Sequence, residues 1–118
     1  MKILFFSRLF YPHIGGVEKH VLEISRLLIK KGHKVCIITE KYENNLKSQE
    51  VIEGIDVYRI DIKNKSKKLS VWSWLFKNVN LIKDADVVHC HDVFFWYLPF
   101  RFLFPFKKVY TTFHGYES

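Results

Sequence analysis

A glycine pair and a histidine-rich stretch are the parts of this sequence whose residue types and spacing could do chemistry. The glycines, Gly15 and Gly16, lie between an apolar segment, Ile3 to Ser7, and an amphipathic helix. At such a junction backbone N–H groups are free to bind one ligand atom, and the helix dipole adds partial positive charge. The junction suits a phosphate or a sugar oxygen. A tight turn also uses glycine, and both interpretations stay open.

The histidine-rich stretch, H-C-H-D at His89 to Asp92, ends an apolar segment. Successive side chains alternate along a strand, so His89 and His91 should lie on one face and Cys90 on the other. Three ligands therefore cannot converge on one ion unless the strand ends there. We predict no metal site in this stretch.

The glycine pair does not indicate a dinucleotide site. The fingerprint G-x-G-x-x-G is absent, because only Gly15 and Gly16 precede the helix. Glu40 stands at the end of the second predicted strand, where a ribose-binding acid would stand, but one acid without the glycine fingerprint is weak support. We predict no nicotinamide or flavin site and no other cofactor.

Strands and helices are predicted to alternate along the chain, and this order places the glycine pair and the histidine-rich stretch at the ends of strands. Periodicity and breakers predict strands at Ile3 to Ser7, Val35 to Thr39, Ile55 to Ile62, Asp86 to Cys90 and Lys107 to Phe113, and helices at Val17 to Lys31 and Val71 to Lys83. The segment after Thr39 is predicted to be a polar loop. We expect an α/β fold, a Rossmann-like parallel sheet with helices on both faces, whose strands end on one side.

Composition indicates one globular domain. The chain has 118 residues, of which 48% are hydrophobic, a net charge of +7 and a pI near 9.4. Cys36 and Cys90 fall in predicted strands and are expected to be reduced core thiols, and no signal peptide precedes the first strand, so we predict a cytoplasmic location. The positive charge suits acidic substrates or membranes, and the absence of a nucleic-acid-binding motif argues against DNA or RNA.

An aromatic run, residues 93–106, is too short and too interrupted by proline to span a membrane. Two interpretations remain. The aromatics and the neighbouring lysines are suited to an anionic lipid surface, or the run is a helix packed on the sheet. Five aromatic residues are candidates for an exposed, self-associating surface: Trp72, Phe76, Phe94, Phe95 and Trp96.

Three motifs, in order, give the chain a resemblance to a known family. They are P-x-x-G-G-V-E from Pro12 to Glu18, closed by Gly32 and His33 after the helix, then D-V-V-H-C-H-D from Asp86 to Asp92, and T-T-F-H-G from Thr111 to Gly115. Together they resemble the opening of retaining glycosyltransferases of family 4, which have the GT-B fold. The resemblance covers nearly the whole chain but only the first part of a family member.

The resemblance implies a function and a set of site residues. The complete enzyme would transfer a hexose-like sugar from a nucleotide-diphosphate donor to a hydroxyl acceptor with retained configuration and without a metal. Gly15 and Gly16 would contact the donor, and His114 would be the catalytic residue that contacts the transferred sugar. Pro12, His91 and Asp92 would line the acceptor cleft. A neutral imidazole can donate one hydrogen bond and accept another, which suits a sugar hydroxyl beside developing positive charge.

Residues 1–118 are accordingly interpreted as a single truncated domain, the incomplete N-terminal half of a GT-B fold. Most of the nucleotide-sugar site would belong to the missing second half, so the isolated chain is expected to be inactive. An acceptor that is lipid-linked and a location at the inner face of the membrane fit the basic and aromatic segments. The alternative is a non-catalytic binding or scaffold subunit of a split or membrane-associated complex.

Overall fold

A six-stranded sheet forms the centre of the computed structural model, which describes residues 1–7, 16–41, 46–61, 67–91 and 96–112. Within these ranges the elements are β1 (Lys2–Ser7), α1 (Gly16–Lys30), β2 (Lys34–Glu40), β3 (Gln49–Ile52), β4 (Ile55–Ile60), α2 (Lys67–Lys77), α3 (Asn80–Lys83), β5 (Val87–His91), α4 (Phe100–Leu103) and β6 (Lys108–Thr112). The strand order is β3-β4-β2-β1-β5-β6, and every neighbouring pair is parallel except β3 with β4. The predicted Rossmann-like α/β fold is confirmed.

Helix α1 forms because one stripe of its residues is apolar and its end is capped. Val21 is fully buried, and Ile24 and Leu28 pack beside it against the sheet. At the end of the helix Gly32 has φ of 91° and donates to the carbonyl of Ile29, while the next amide, that of His33, donates to Leu28. This Schellman arrangement needs a left-handed residue, for which glycine is the natural choice. It reverses the chain into β2.

The sheet has a hydrophobic core on each face. On the α1 face the core consists of Ile3, Phe5, Val21, Val35, Ile37, Ile55 and Val57. On the opposite face, α2, α3 and aromatic side chains from residues 96–104 cover a larger core, which includes Leu4, Phe6, Cys36, Ile38, Val71, Leu75, Val88, Cys90, Trp96, Tyr97 and Phe100. Alternate residues of β1 therefore serve different cores, and helices cover both faces as predicted.

The segment after Thr39 contains a strand that the sequence analysis missed. Strand β3 pairs antiparallel with β4 through a two-residue turn at Glu53 and Gly54, whose φ angles are 51° and 84°. Two consecutive left-handed residues are typical of the tight turn that matches the twist of a hairpin. The segment was predicted as a loop because β3 has only four residues, of which two are polar, and it is half-exposed, unlike the buried parallel strands.

Two details of the second half of the chain correct the sequence interpretation. The helix predicted from Val71 to Lys83 is two helices, separated at Asn78, whose side-chain amide donates to the carbonyl of Trp74 at 2.9 Å. The backbone amide of Asn78 donates to the same carbonyl at 3.1 Å, so the two bonds share one acceptor at the end of α2. Trp96, predicted to be exposed, is fully buried and packs against Phe6, with ring centroids 6.2 Å apart. Phe76 is indeed half exposed, and Phe94 and Phe95 lie outside the described residues.

The two cysteines should be unreactive while the chain is folded. Cys36 and Cys90 are unpaired and buried, and burial raises the pKa of each thiol to about 12. Since the thiolate is the reactive form, we expect neither thiol to react with Ellman's reagent at pH 8, whereas both should react in guanidinium chloride. Both thiols ionise more readily when unfolded, so their contribution to stability should be lost as pH rises from about 8.5 towards 12. Rapid reaction of either thiol in the native chain would contradict its place in the core.

Candidate functional site

Polar side chains form one row across the carboxyl ends of four parallel strands. Ser7 of β1 pairs with His91 of β5, and Thr39 of β2 pairs with Arg59 of β4. Phe6 pairs with Ile38, so Ser7 and Thr39 come next on their strands and are level with each other. All four side chains are at most 1% exposed. We call this set, Arg59, Thr39, Ser7 and His91, the polar row.

The polar row lies on the α1 face. Side chains two positions apart lie on the same face of a strand. Ser7, Thr39 and Arg59 each follow by two positions a residue of the core under α1, namely Phe5, Ile37 and Val57. Below the row that face is apolar on β1, β2 and β4, where Phe5, Ile37 and Val57 stand, whereas on β5 a second histidine, His89, stands one level below His91. Because open α/β sheets bind ligands beyond the carboxyl ends of their strands, this edge is the candidate site.

Three histidine rings meet at one end of the row. The ring of His91 stacks on that of His89, with centroids 4.3 Å apart, and meets that of His20 edge-on at 6.2 Å. Phe5 contacts both strand histidines, at 5.6 Å from His89 and 5.3 Å from His91. The three histidines differ in burial: His91 is buried, His89 is half-buried and His20 is exposed. The packing holds the His91 ring in one orientation at the edge of the sheet.

A buried cation lies at the other end of the row. The Nη1 atom of Arg59 donates to a carboxylate oxygen of Glu50 on β3 and, at 2.9 Å, to the carbonyl oxygen of Lys47. The side chain of Glu50 is 29% exposed, whereas that of Arg59 is 1% exposed. The carboxylate neutralises a charge that would otherwise be costly to bury. The antiparallel hairpin is thereby attached to the same edge that holds the histidines.

Helix α1 begins at this edge. It follows β1 and starts at Gly16, so its first N–H groups and the positive end of its dipole lie near the carboxyl ends of the strands. His20 belongs to the second turn of the helix and reaches His91. The edge thus combines hydroxyl groups, imidazoles and helix N–H groups. These groups can bind the hydroxyl and phosphate oxygens of a ligand.

The residues predicted from the sequence are only partly within the described chain. Among them, Gly16 is the first residue of α1, and His91 contacts His20 in the second turn of that helix; their roles toward a ligand stay predictions. Pro12, Gly15, Asp92 and His114 lie outside the described residues, and their roles remain predictions.

His89 and His91 share one face of β5, and Cys90 belongs to the opposite core, as the alternation of the strand predicted. In the described ranges no three His, Cys, Asp or Glu side chains are placed to hold a metal ion.

Three members of the polar row were missed by the sequence analysis. Ser7, Thr39 and Arg59 were treated as ordinary strand residues, yet each is a polar residue near the end of an apolar strand. The parity of each strand would have placed them on a common face. Their common level, however, depends on the pairing register, which periodicity does not supply.

A second surface with exposed aromatic side chains lies around α4. Phe102 is 85% exposed and Phe106 is 98% exposed, and the exposed Arg101 and Lys108 lie close to them in the chain. No helix among the described residues is long and apolar enough to span a bilayer. We call Arg101, Phe102, Phe106 and Lys108 the aromatic–basic surface.

Comparison with known proteins identifies relatives over most of the chain. The profile of Glycosyltransferase Family 4 matches residues 14–118. One subunit of the human phosphatidylinositol N-acetylglucosaminyltransferase is 33% identical over 94 residues, which are 75% of this chain and 19% of that protein. The GDP-mannose:cellobiosyl-diphosphopolyprenol alpha-mannosyltransferase of Xanthomonas campestris is 31% identical over 103 residues, 82% of this chain and 26% of that protein.

A solved structure supports the fold. The sucrose-phosphate synthase of Thermosynechococcus elongatus superposes with a TM-score of 0.71 at 16% identity, over 97% of this chain and 33% of that one. The chain therefore corresponds to about a third of that structure, and it spans about a fifth to a quarter of the two sequence relatives.

The ion pair between Arg59 and Glu50 should contribute more to the free energy of unfolding than an ion pair on the surface does. Replacing Glu50 by Ala removes the carboxylate to which the buried Arg59 donates, so we expect a loss of about 3 kcal/mol in the free energy of unfolding. The matched control is Arg26→Ala, which breaks an exposed bidentate pair with Glu53 and should cost much less, because solvent screens an exposed pair. Urea unfolding followed by circular dichroism measures both, and equal losses would show that Glu50 does not stabilise Arg59.

Proposed function

Since the chain belongs to glycosyltransferase family 4, we propose that it is the N-terminal, acceptor-side part of an enzyme that transfers a sugar with retention of configuration. The donor is a nucleotide-diphosphate sugar and the acceptor is a hydroxyl group. The observation that supports this most is the polar row at the carboxyl edge of the sheet, beside the start of α1. Hydroxyls and imidazoles at such an edge suit a ligand rich in hydroxyl groups.

In this proposal each candidate residue named from the sequence has its own role. Gly15 and Gly16 bring backbone N–H groups and the helix dipole to the donor phosphate or sugar. His91 and Asp92, with Pro12, line the acceptor cleft, and the packing of His91 against His89 and Phe5 holds its ring in place. His114 donates a hydrogen bond to the transferred sugar and orients it while positive charge develops at the reacting carbon.

A lipid-linked acceptor is part of the proposal. The human relative is named for phosphatidylinositol and the Xanthomonas campestris relative for a diphosphopolyprenol, and both names describe lipids. The aromatic–basic surface is suited to an anionic membrane, because exposed aromatic rings enter the interface while cations face the headgroups. We therefore place the protein at the cytoplasmic face of a membrane as a peripheral protein.

A non-catalytic subunit is the second candidate. The human relative is named as one subunit of its transferase, so a role within a complex of several chains has specific support. In that case the polar row binds a ligand without catalysing transfer. The two candidates differ in one measurement, which is whether sugar transfer appears when this chain is joined to a second Rossmann-like half.

Transfer should require a second half and should depend on His114. We expect no turnover of nucleotide sugar by residues 1–118 alone, and turnover once a second half is supplied. In the assembled enzyme His114→Ala should lower kcat by about a hundredfold, a loss typical of removing a contact that orients the reacting group. Radiolabelled sugar transfer to a lipid acceptor measures this.

The matched control for His114 is His33→Ala. The Nδ1 atom of His33 accepts a hydrogen bond from the amino group of Met1 at 3.2 Å. His33 lies next to the start of β2, at the opposite end of the sheet from the polar row. This substitution should leave kcat unchanged. Turnover by the isolated chain, or equal effects of the two substitutions, would refute the proposed division of roles.

The isolated chain should self-associate or bind detergent. Phe102 and Phe106 are almost fully exposed, and Phe76 is half exposed, so apolar surface is available for association. Sedimentation velocity should show oligomers that dissociate when mild detergent is added. A monomer at tens of micromolar that binds no hydrophobic dye would contradict the prediction and would favour the non-catalytic interpretation.

A further inference from the structure

A cavity of about 360 Å³ lies between α4 and β6, on the face of the sheet opposite the polar row. Its lining consists of Tyr97, Arg101, Phe104, Pro105, Lys107, Val109 and Thr111. Val109 and Thr111 alternate with Tyr110 along β6, and Val109 packs with the core under α2 and α3. The proposed sugar-transfer site does not use this cavity.

Arg101 is the cation that the cavity offers to a ligand. Its side chain is exposed, and within the described residues its guanidinium group makes no hydrogen bond or ion pair. Lys107 differs, because its amine donates to the carbonyl oxygens of Lys83 and Ala85 and lies 5.8 Å from the ring of Phe104. A planar guanidinium group is well suited to bind two oxygens of a phosphate.

Tyr97 adds a hydroxyl group that the fold does not use. The side chain is fully buried, and its oxygen has no hydrogen-bond partner in the described part of the chain. Burial, together with the nearby Cys90, raises the pKa of Tyr97 to about 12, so the phenol keeps its proton at neutral pH. A buried hydroxyl without a partner is unfavourable, and an acceptor oxygen placed beside it would remove that cost.

The surroundings of the cavity are apolar and face outwards. Phe102, Leu103 and Phe106 are 85%, 54% and 98% exposed, and they adjoin the cavity through Phe104 and Pro105. Lys108 is exposed next to them. Positive charge around the exposed aromatics weakens, without preventing, association with a second copy of the same surface, because that contact brings like charges together. It favours an anionic, partly apolar partner.

We propose that this cavity binds the phosphate group of an anionic phospholipid. The guanidinium group of Arg101 pairs with two phosphate oxygens, and the hydroxyls of Tyr97 and Thr111 donate hydrogen bonds to the phosphate. Phe102 and Phe106 enter the acyl region beside it. The proposal rests on the peripheral membrane contact of the proposed function and is independent of sugar transfer.

The test compares two substitutions that each remove one positive charge from the same surface. Arg101→Gln removes the cation in the cavity, whereas Lys108→Gln removes a cation that does not line it. The probe is dihexanoyl-phosphatidylglycerol below its micellar concentration, followed by calorimetry in the longest available form of the protein. We expect Arg101→Gln to weaken binding about tenfold or more, as for the loss of a charge-assisted hydrogen bond. Lys108→Gln should weaken it less than about threefold.

Tyr97→Phe separates ligand binding from folding. Because the hydroxyl has no partner in the described fold, its removal should leave the midpoint of thermal unfolding unchanged or raised. Binding of the short-chain lipid should nevertheless weaken. A variant that binds the lipid like the unaltered protein would overturn the role of the hydroxyl.

Three further outcomes would overturn the proposal in different ways. Equal losses from Arg101→Gln and Lys108→Gln would indicate a diffuse electrostatic attraction with no phosphate site. If inorganic phosphate displaces the short-chain lipid and binds as tightly as the lipid does, the cavity is a site for free anions. Finally, absence of binding to the short-chain lipid and to vesicles of phosphatidylcholine and phosphatidylglycerol would refute the cavity and the membrane contact together, and measured sugar transfer would still stand.

Discussion

Pairing of β1 with β2 on one side and β5 on the other is the constraint on which the rest of the structure depends. Residues 3–7 are buried, and they contribute alternately to the two cores. A strand in this position has no exposed edge and no polar face, so its register is strongly specified. A shift by one residue would place Ser7 among the aromatic side chains and Phe6 in the polar row. The candidate site therefore depends on the same pairing as the hydrophobic core.

The two faces of the sheet end differently, and the proposed roles follow from that difference. On the α1 face the last layer is polar, and the start of the helix lies beside it. On the other face the layers stay apolar up to Cys90, and aromatic side chains from residues 96–100 cover them. Polar chemistry is thus confined to one edge. The cavity and the exposed aromatic rings at α4 and β6 lie away from that edge, and the proposed role of this surface is contact with a membrane.

Much of this fold could be predicted because its parallel strands are buried and therefore apolar. Five strands and α1 were found within a few residues of their bounds, since a continuous apolar run or a helical stripe marks each one. Strand β3 was missed because it is short and half-exposed. The break at Asn78 was missed because the apolar stripe continues through Val79, so periodicity gives no sign of it.

The site could be predicted less completely than the fold. Motifs indicated His91, but the polar row depends on register between strands far apart in the chain, for example Ser7 with His91. Arg59 is a buried cation on an apolar strand, a combination that composition does not explain until Glu50 is placed beside it. Trp96 was named as a candidate for an exposed surface because the rest of the domain was expected to cover the aromatic residues, whereas it packs against Phe6 within this chain.

The central position of β1 also has a consequence for the order in which the chain folds. One edge of β1 pairs with β2, which follows it after a single helix, but the other edge pairs with β5, more than eighty residues later. During synthesis the β1–α1–β2 unit can therefore form while the backbone groups on the second edge of β1 still lack their partners. Loop closure over that distance is slow compared with local contacts. The nascent chain thus exposes an unpaired apolar strand until β5 emerges, and this interval is when a chaperone or a neighbouring nascent chain would have access to it.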